Sequence, residues 1–217
     1  SQGGLMDIEL QQWLEINRSR TDYLFQSILV EKSATAAECC NAAVAYSSNE
    51  MVLLIHEEAV ILQENWLEEL VRTLFSPDVA IASPCMAAPE TSQIREVGRI
   101  LGLKGNLASP YSNEAKLGES GYLDILRIAR DVSVVSGGCL LVRKAAYQAV
   151  GGMDASCLGD HYAEADLCQK LKNEGWRLVF QPLSVIVYDG KSTISFEDDD
   201  EKTALGTLNE SRARHVF

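Results

Sequence analysis

Two acidic clusters in this chain of 217 residues have the types and the placement to do chemistry. The first is His56-Glu57-Glu58, directly after the apolar run Met51–Ile55. Such a run predicts a central parallel strand, and ligands of open α/β sheets bind beyond the carboxyl ends of strands. Carboxylates at that edge offer oxygen to a hard divalent cation; the plainer alternative is a solvated acidic turn. The second cluster is Glu164 and Asp166, at the start of a predicted helix. Carboxylates in a first helical turn suit proton handling or metal binding, and equally suit an ordinary helix start. On a 3.6-residue period Glu164, Leu167, Cys168 and Leu171 share one face, so Glu164 begins an apolar stripe. Asp166 points elsewhere and is spaced to pair with Lys170, a contact worth roughly a few tenths of a kcal/mol. Gly137-Gly138 interrupts the apolar stretch Val132–Val142. A glycine pair frees the backbone and lets a ligand come close.

The elements that must position these residues follow from pattern. Residues 1–5 read as an appended leader, with Met6 as a native start. A helix is expected over Asp7–Arg18 and a strand over Tyr23–Val30. Thr35-Ala36-Ala37-Glu38 has the form of a capping box and starts a helix carrying Ala37, Cys40, Asn41 and Val44 on one side. After Met51–Ile55 comes a helix over Asn65–Phe75, with Leu67, Leu70, Val71 and Leu74 spaced for burial. A short strand, Val79–Ser83, is expected to stop at Pro84. The region Ala87–Arg130 is rich in turn signals, and its segment Ile94–Leu101 fits a strand or a short helix. A strand over Val132–Val142, a short helix closed by Gly151-Gly152, the acidic helix ended by Gly175, and strands Trp176–Phe180 and Ser184–Tyr188 complete the domain. Residues 196–217 read as an acidic linker, Glu197–Glu201, followed by a final helix.

Composition narrows the function classes. With 47% apolar and 23% charged residues the chain has the makings of one globular domain. A net charge of −12 and a pI near 4.7 exclude a general phosphate-backbone binder, so no nucleic acid partner is expected. Six cysteines are present without a CxxC pair, which reads as buried free thiols in a reducing cytoplasm rather than a zinc site. No apolar run approaches the ~18 residues of a membrane span, and no secretory signal is visible.

The segments SGGCLLVRKAAYQAVGGMD (136–154) and AEADLCQKLKNEGWRLVFQP (163–182) resemble the second half of family 2 glycosyltransferases of the GT-A fold. The resemblance covers Ile28–Ser195. It implies an α/β, three-layer sandwich with a mostly parallel central sheet, here reduced at the N-terminus because one strand candidate precedes the Asn41 helix. It implies a nucleotide-sugar donor, a glycan acceptor, and Mg or Mn as the divalent metal. Glu164 stands where the family has its general base, with Asp166 beside it, and Asn41 matches an Asn that shapes the donor pocket. The family's Asp-x-Asp metal site falls on His56-Glu57-Glu58; one register pairs it with His56 and Glu58, the other with Glu57 and Ala59. Tyr188 stands where the family commonly ends its last strand with a metal-binding His.

Two functions stay open on these residues. One is an inverting sugar transfer to an acceptor hydroxyl in glycan or polysaccharide biosynthesis, with Glu164 as base. The other is a GT-A-like domain without turnover that binds a nucleotide, a glycan, a partner protein or a second copy. A nucleotidyltransferase would need a Gly-rich phosphate loop near the N-terminus, which this sequence lacks.

Overall fold

The computed structural model describes residues 34–103, 106–155 and 160–188, with backbone alone for residues 102, 103, 106–108, 160 and 161. The expectations for residues 1–33 and 196–217 lie outside the described residues. Helix α1 (Ala36–Tyr46) starts as its sequence demands: Thr35 Oγ1 accepts from the Glu38 amide, and the Glu38 carboxylate accepts from the Thr35 amide. Strand β1 (Met51–Ile55) leads through a turn to β2 (Val60–Ile61) and then α2 (Trp66–Leu74). Strand β3 (Val79–Ala87) is followed by β4 (Ile94–Glu96), β5 (Ile100–Leu103) and β6 (Asn106–Ala108). Next come β7 (Arg130–Asp131), β8 (Cys139–Arg143), α3 (Lys144–Ala149), α4 (Asp160–Asn173) and β9 (Arg177–Val187).

The main sheet runs in the order β1-β8-β3-β9-β2, with β4 beside β3 and β7 beside β9. Residues of its strands alternate between two cores. In β8, Leu140 and Val142 face α1, α3 and α4, where Val44, Tyr147, Leu167 and Leu171 wait. Cys139 and Leu141 face α2, packing with Trp66, Leu70 and Leu74. Helices therefore cover both faces, which is the three-layer arrangement expected.

The expectation of a mostly parallel sheet needs correction. Among the described residues the only parallel pairing is β3 with β9. Strand β8 runs antiparallel to both β1 and β3 and is inserted between them. It follows that β1, β3 and β9 share a direction, but neighbours on the sheet mostly do not. Strand β1 pairs only with β8 among the described residues, so it is not a central strand here.

Two prolines also misled the pattern. Strand β3 continues through Pro84, and β9 runs unbroken through Pro182. The register between them shifts at Pro84/Cys85, where β9 carries the extra residues between Gln181 and Val185. A bulge is where a sheet tolerates a residue without an amide donor. The strand expected from Val132 is shorter: residues 132–138 approach β8 as irregular chain, tied to Arg99 through Val134. Gly151 and Gly152 close α3 with φ of 78° and 72°, and Gly175 closes α4 with φ of 85°, as the sequence indicates.

Candidate active site at the carboxyl edge of the sheet

The shared direction of β1, β3 and β9 brings three strand ends to one edge. The His56 amide, just past β1, donates to Gly138 O at 2.9 Å. The Tyr188 amide, just past β9, donates to Ala87 O at the end of β3 at 3.0 Å. The rings of His56 and Tyr188 lie 5.2 Å apart, centre to centre, tilted by 53°. Gly137-Gly138, entering β8, therefore sits between the two strand ends, and α4 lays Glu164 across it.

Why these two positions are glycine is visible in their surroundings. A Cβ at Gly137 would lie 2.7 Å from Glu164 Cδ and closer still to Oε1. A Cβ at Gly138 would lie 2.8 and 3.0 Å from carbons of the Tyr188 ring and 3.1 Å from Met86 Sδ. The sequence predicted that Gly137 and Gly138 make room for a cofactor. In the structure that room is taken by the chain's own Glu164 and Tyr188.

Glu164 is held by a residue that pattern reading left without a role. Arg99 Nη1 contacts Glu164 Oε2 at 3.3 Å, and its Nη2 contacts Glu96 Oε1 at 2.6 Å. Arg99 Nη2 also donates to Ser136 Oγ at 3.2 Å. The three charged side chains are nearly enclosed, with exposures of 11% for Arg99, 12% for Glu96 and 16% for Glu164. Burial alone would lower the Arg99 pKa, but the adjacent Glu96 and Glu164 carboxylates outweigh it and hold the guanidinium charged. Tyr188 reports the same field: burial raises its phenol, and the charges of Glu58 and Glu164 raise it further. Glu58 and Glu164 thus both act on Tyr188 at this edge. The signal for Arg99 lay in Val97-Gly98-Arg99, a cation after a glycine in a region whose turns hid its strands.

The other candidates separate. Asp166 is 7% exposed and pairs with Lys170 at 2.5 Å, as the i+4 spacing predicted. Two positions further along α4 than Glu164, it points to a different side of the helix. Asn41 is committed to the backbone beyond α3. Its Nδ2 donates to Met153 O at 2.8 Å, and its Oδ1 accepts from Tyr147 Oη at 2.6 Å and from the Met153 amide at 3.0 Å. Gly152 allows this approach, since a Cβ there would strike Asn41 Oδ1. The structure thus gives Asn41 the structural role rather than the donor-pocket one.

The expected metal set of His56, Glu57 and Glu58 is not assembled as a ligand cluster. His56 Nδ1 accepts from the Glu58 amide at 3.2 Å, so one ring nitrogen is spent on its own turn. All three residues are exposed, and no three His, Cys, Asp or Glu side chains among the described residues are grouped to hold a metal ion. At position 188 stands a phenol pushed further from ionisation, a poor ligand for a hard cation. The donor set of this edge does not fit a resident divalent cation.

Comparisons with known proteins agree with this architecture. A solved mannosyltransferase from Pyrobaculum calidifontis, in complex with GDP-Man and Mn2+, superposes with a TM-score of 0.55 at 15% identity, over 84% of this chain and 44% of that one. GalNAc-T7, solved with UDP, GalNAc and Mn2+, superposes with a TM-score of 0.64 at 12% identity, over 92% of this chain and 39% of that one. Both are likenesses of fold, and the fold is that of GT-A glycosyltransferases. In sequence, protein y4gI of Sinorhizobium fredii is 29% identical over 165 residues, 76% of this chain and 18% of that protein. The O-antigen biosynthesis protein RfbC of Myxococcus xanthus is 23% identical over 142 residues, 64% of this chain and 11% of that protein. The chain thus spans less than a fifth of the length of either relative. The model of the family described as glycosyltransferase like family 2 matches residues 15–215, and with the carboxyl edge built as above, the chain belongs to that family.

Proposed function

We propose that this chain transfers a sugar from a nucleotide-diphosphate donor to an acceptor hydroxyl, with Glu164 as general base. The observation that carries it is the meeting of Glu164, Gly137, Tyr188 and His56 at one carboxyl edge, the edge where open α/β sheets bind ligands. The step is a displacement at the anomeric carbon. The acceptor O–H gives its proton to the Glu164 carboxylate as its oxygen attacks. The bond to the diphosphate breaks on the opposite side, its electron pair leaves with the diphosphate, and the configuration inverts. The Mn2+ in both solved neighbours makes cation dependence a property to measure, with Mg or Mn as the candidates. RfbC's role in O-antigen biosynthesis supports a polysaccharide or glycan acceptor.

No helix among the described residues is long and apolar enough to cross a membrane, and the five cysteines described are all free thiols. The free thiols support a reaction on the cytoplasmic side, where thiols stay reduced.

Calorimetry with UDP-, GDP- and dTDP-sugars, with and without Mn2+, tests donor binding, and Glu164→Gln tests the base. A general base contributes about 10²–10⁴-fold to rate, so Glu164→Gln should lower kcat by that factor while leaving donor affinity unchanged. One observation favours a second reading, a binding module without turnover: the unassembled metal set and the filled space over Gly137-Gly138. Absence of donor binding by the full protein would select it.

A further inference from the structure

We infer that Arg99 is the positioning residue of the transfer site, fixing the Glu164 carboxylate over Gly137 in the orientation from which it takes the acceptor proton. This rests on the proposed transfer but concerns a residue to which the resemblance gives no role. Arg99 comes from the turn-rich region before β5, not from the segments that carry the family pattern.

The backbone under Arg99 is fixed residue by residue. Val97 is fully buried, and its carbonyl accepts from Arg130 Nη2 at 2.7 Å. Gly98 has φ of 83°, and a Cβ there would strike the Val132 side chain, so only glycine lets the chain lie against residue 132. Arg99 then exchanges two backbone hydrogen bonds with Val134, at 2.7 and 3.1 Å. Val134 stands two residues before Ser136 and three before Gly137. The strip that carries the cation and the strip that carries the glycine are therefore clamped to each other. A site built this way loses little freedom when substrate arrives.

The charge pattern does not look like a stability device. Glu96 alone would neutralise Arg99, so the trio with Glu164 carries a net charge of about −1 in a nearly enclosed place, which burial penalises. Glu96 also uses only one oxygen on the guanidinium; its Oε2 is buried with no hydrogen-bond partner among the described residues. Groups left under-satisfied in this way call for an explanation outside folding. Holding a second carboxylate still, beside a glycine that leaves it no alternative space, is one.

Among the groups around Glu164 are Arg99 and Glu96 from the strip before β5, Tyr188 from the end of β9, and Cys168 from one turn along α4. Of these only Arg99 is cationic. Its removal should therefore favour the protonated form of Glu164 and move the acid limb of a pH–rate profile upward.

The test has one arm independent of turnover and one that needs it. In a crystal structure of Arg99→Met, the Glu164 carboxylate should leave its place over Gly137; in Arg99→Lys it should stay. In steady-state transfer, Arg99→Met should lower kcat by about 100-fold, the usual effect of a 1 Å misplacement, with donor KM unchanged and the acid limb shifted up. Arg99→Lys should recover part of the rate. If Arg99→Met fails to fold, Arg99→Lys decides alone: the guanidinium fork is lost but the charge kept, so kcat should fall several-fold at unchanged KM. Wild-type kcat and pH profile in either variant, or an unmoved Glu164 in Arg99→Met, overturns the proposal. A wild-type protein that transfers no sugar defeats the function proposed above; the crystallographic arm then decides the positioning claim by itself.

Discussion

Replacing Gly137 with alanine separates function from stability at this edge more cleanly than any other single change. The new Cβ would stand 2.7 Å from Glu164 Cδ, whereas ordinary contact begins near 3.4 Å, so the carboxyl carbon must withdraw by at least about 0.7 Å. The oxygen over the glycine must move further, and the Arg99 contact at 3.3 Å has no slack to absorb this. Backbone strain does not enter, because Gly137 is not among the glycines with positive φ. The stability balance has two parts. Loss of one charge-assisted hydrogen bond costs about 1.5–3 kcal/mol, and the stiffer unfolded chain returns about 0.4–1 kcal/mol. A net destabilisation of roughly 1–2 kcal/mol follows, a Tm lower by about 2–8 °C for a chain of this size. Transfer rate should suffer far more, by about 100-fold, because the base is displaced by the better part of an ångström. Gly138→Ala is the contrasting variant: its Cβ meets the Tyr188 ring and the fully buried Met86, which has nowhere to go. Overpacking of that kind costs about 1–3 kcal/mol. Urea unfolding and initial-rate transfer assays on both proteins read the two quantities. A Gly137→Ala protein with wild-type kcat would refute the idea that the glycine exists to seat Glu164.

Three other perturbations follow from the same contacts. Asn41→Ala strips partners from the Met153 amide and the Tyr147 hydroxyl, so it should destabilise by about 2–3 kcal/mol in urea melts while leaving donor affinity untouched; a selective loss of donor binding would return Asn41 to the donor pocket. Burial pushes the thiols of Cys85, Cys139 and Cys168 up to about 12 from an ordinary value of 9.0. Since the folded values lie above the unfolded ones, the stability these thiols contribute is complete below pH 9 and lost between pH 9 and 12. Each is worth up to ~4 kcal/mol at the upper end, so unfolding monitored by circular dichroism should set in within that window, and alkylation mapped by mass spectrometry at pH 8 should spare all three. Tyr188→His places an imidazole 5.2 Å from the His56 ring in place of the phenol. Mn2+ affinity measured by calorimetry at pH 8 should rise, and it should fall again below the imidazole pKa, which Glu58 and Glu164 would raise above ~6.5; no gain at pH 8 would show that the identity of residue 188 is not what limits metal binding.

How much of this was legible in the sequence depends on whether the cause was local. The capping box at Thr35 and Glu38, the Asp166–Lys170 pair and the terminators Gly151, Gly152 and Gly175 were read correctly, because each depends on residues a turn apart. The ends of β3 and β9 were misplaced, because a proline reads as a stop unless the partner strand has a bulge to receive it. That information lies about a hundred residues away. The direction of β8 was equally out of reach: an apolar run specifies burial, and burial is the same whichever way the strand points. Arg99 was missed for a related reason. Its partners Glu96, Ser136 and Glu164 come from three segments, and only the first is near enough in sequence to suggest a pair.

The glycine pair shows how a correct observation and a correct principle can still mislead about function. Gly137-Gly138 was expected to let something approach the backbone closely, and something does. What approaches is Glu164 from α4 and Tyr188 from β9, both within this chain. A ligand cannot occupy the same volume, so a donor bound at this edge must lie outside the layer formed by these two side chains, against His56 and the turn that follows it. Tyr188 has its ring on Gly138, and burial together with the charges of Glu58 and Glu164 keeps its phenol protonated, a group able to donate a hydrogen bond.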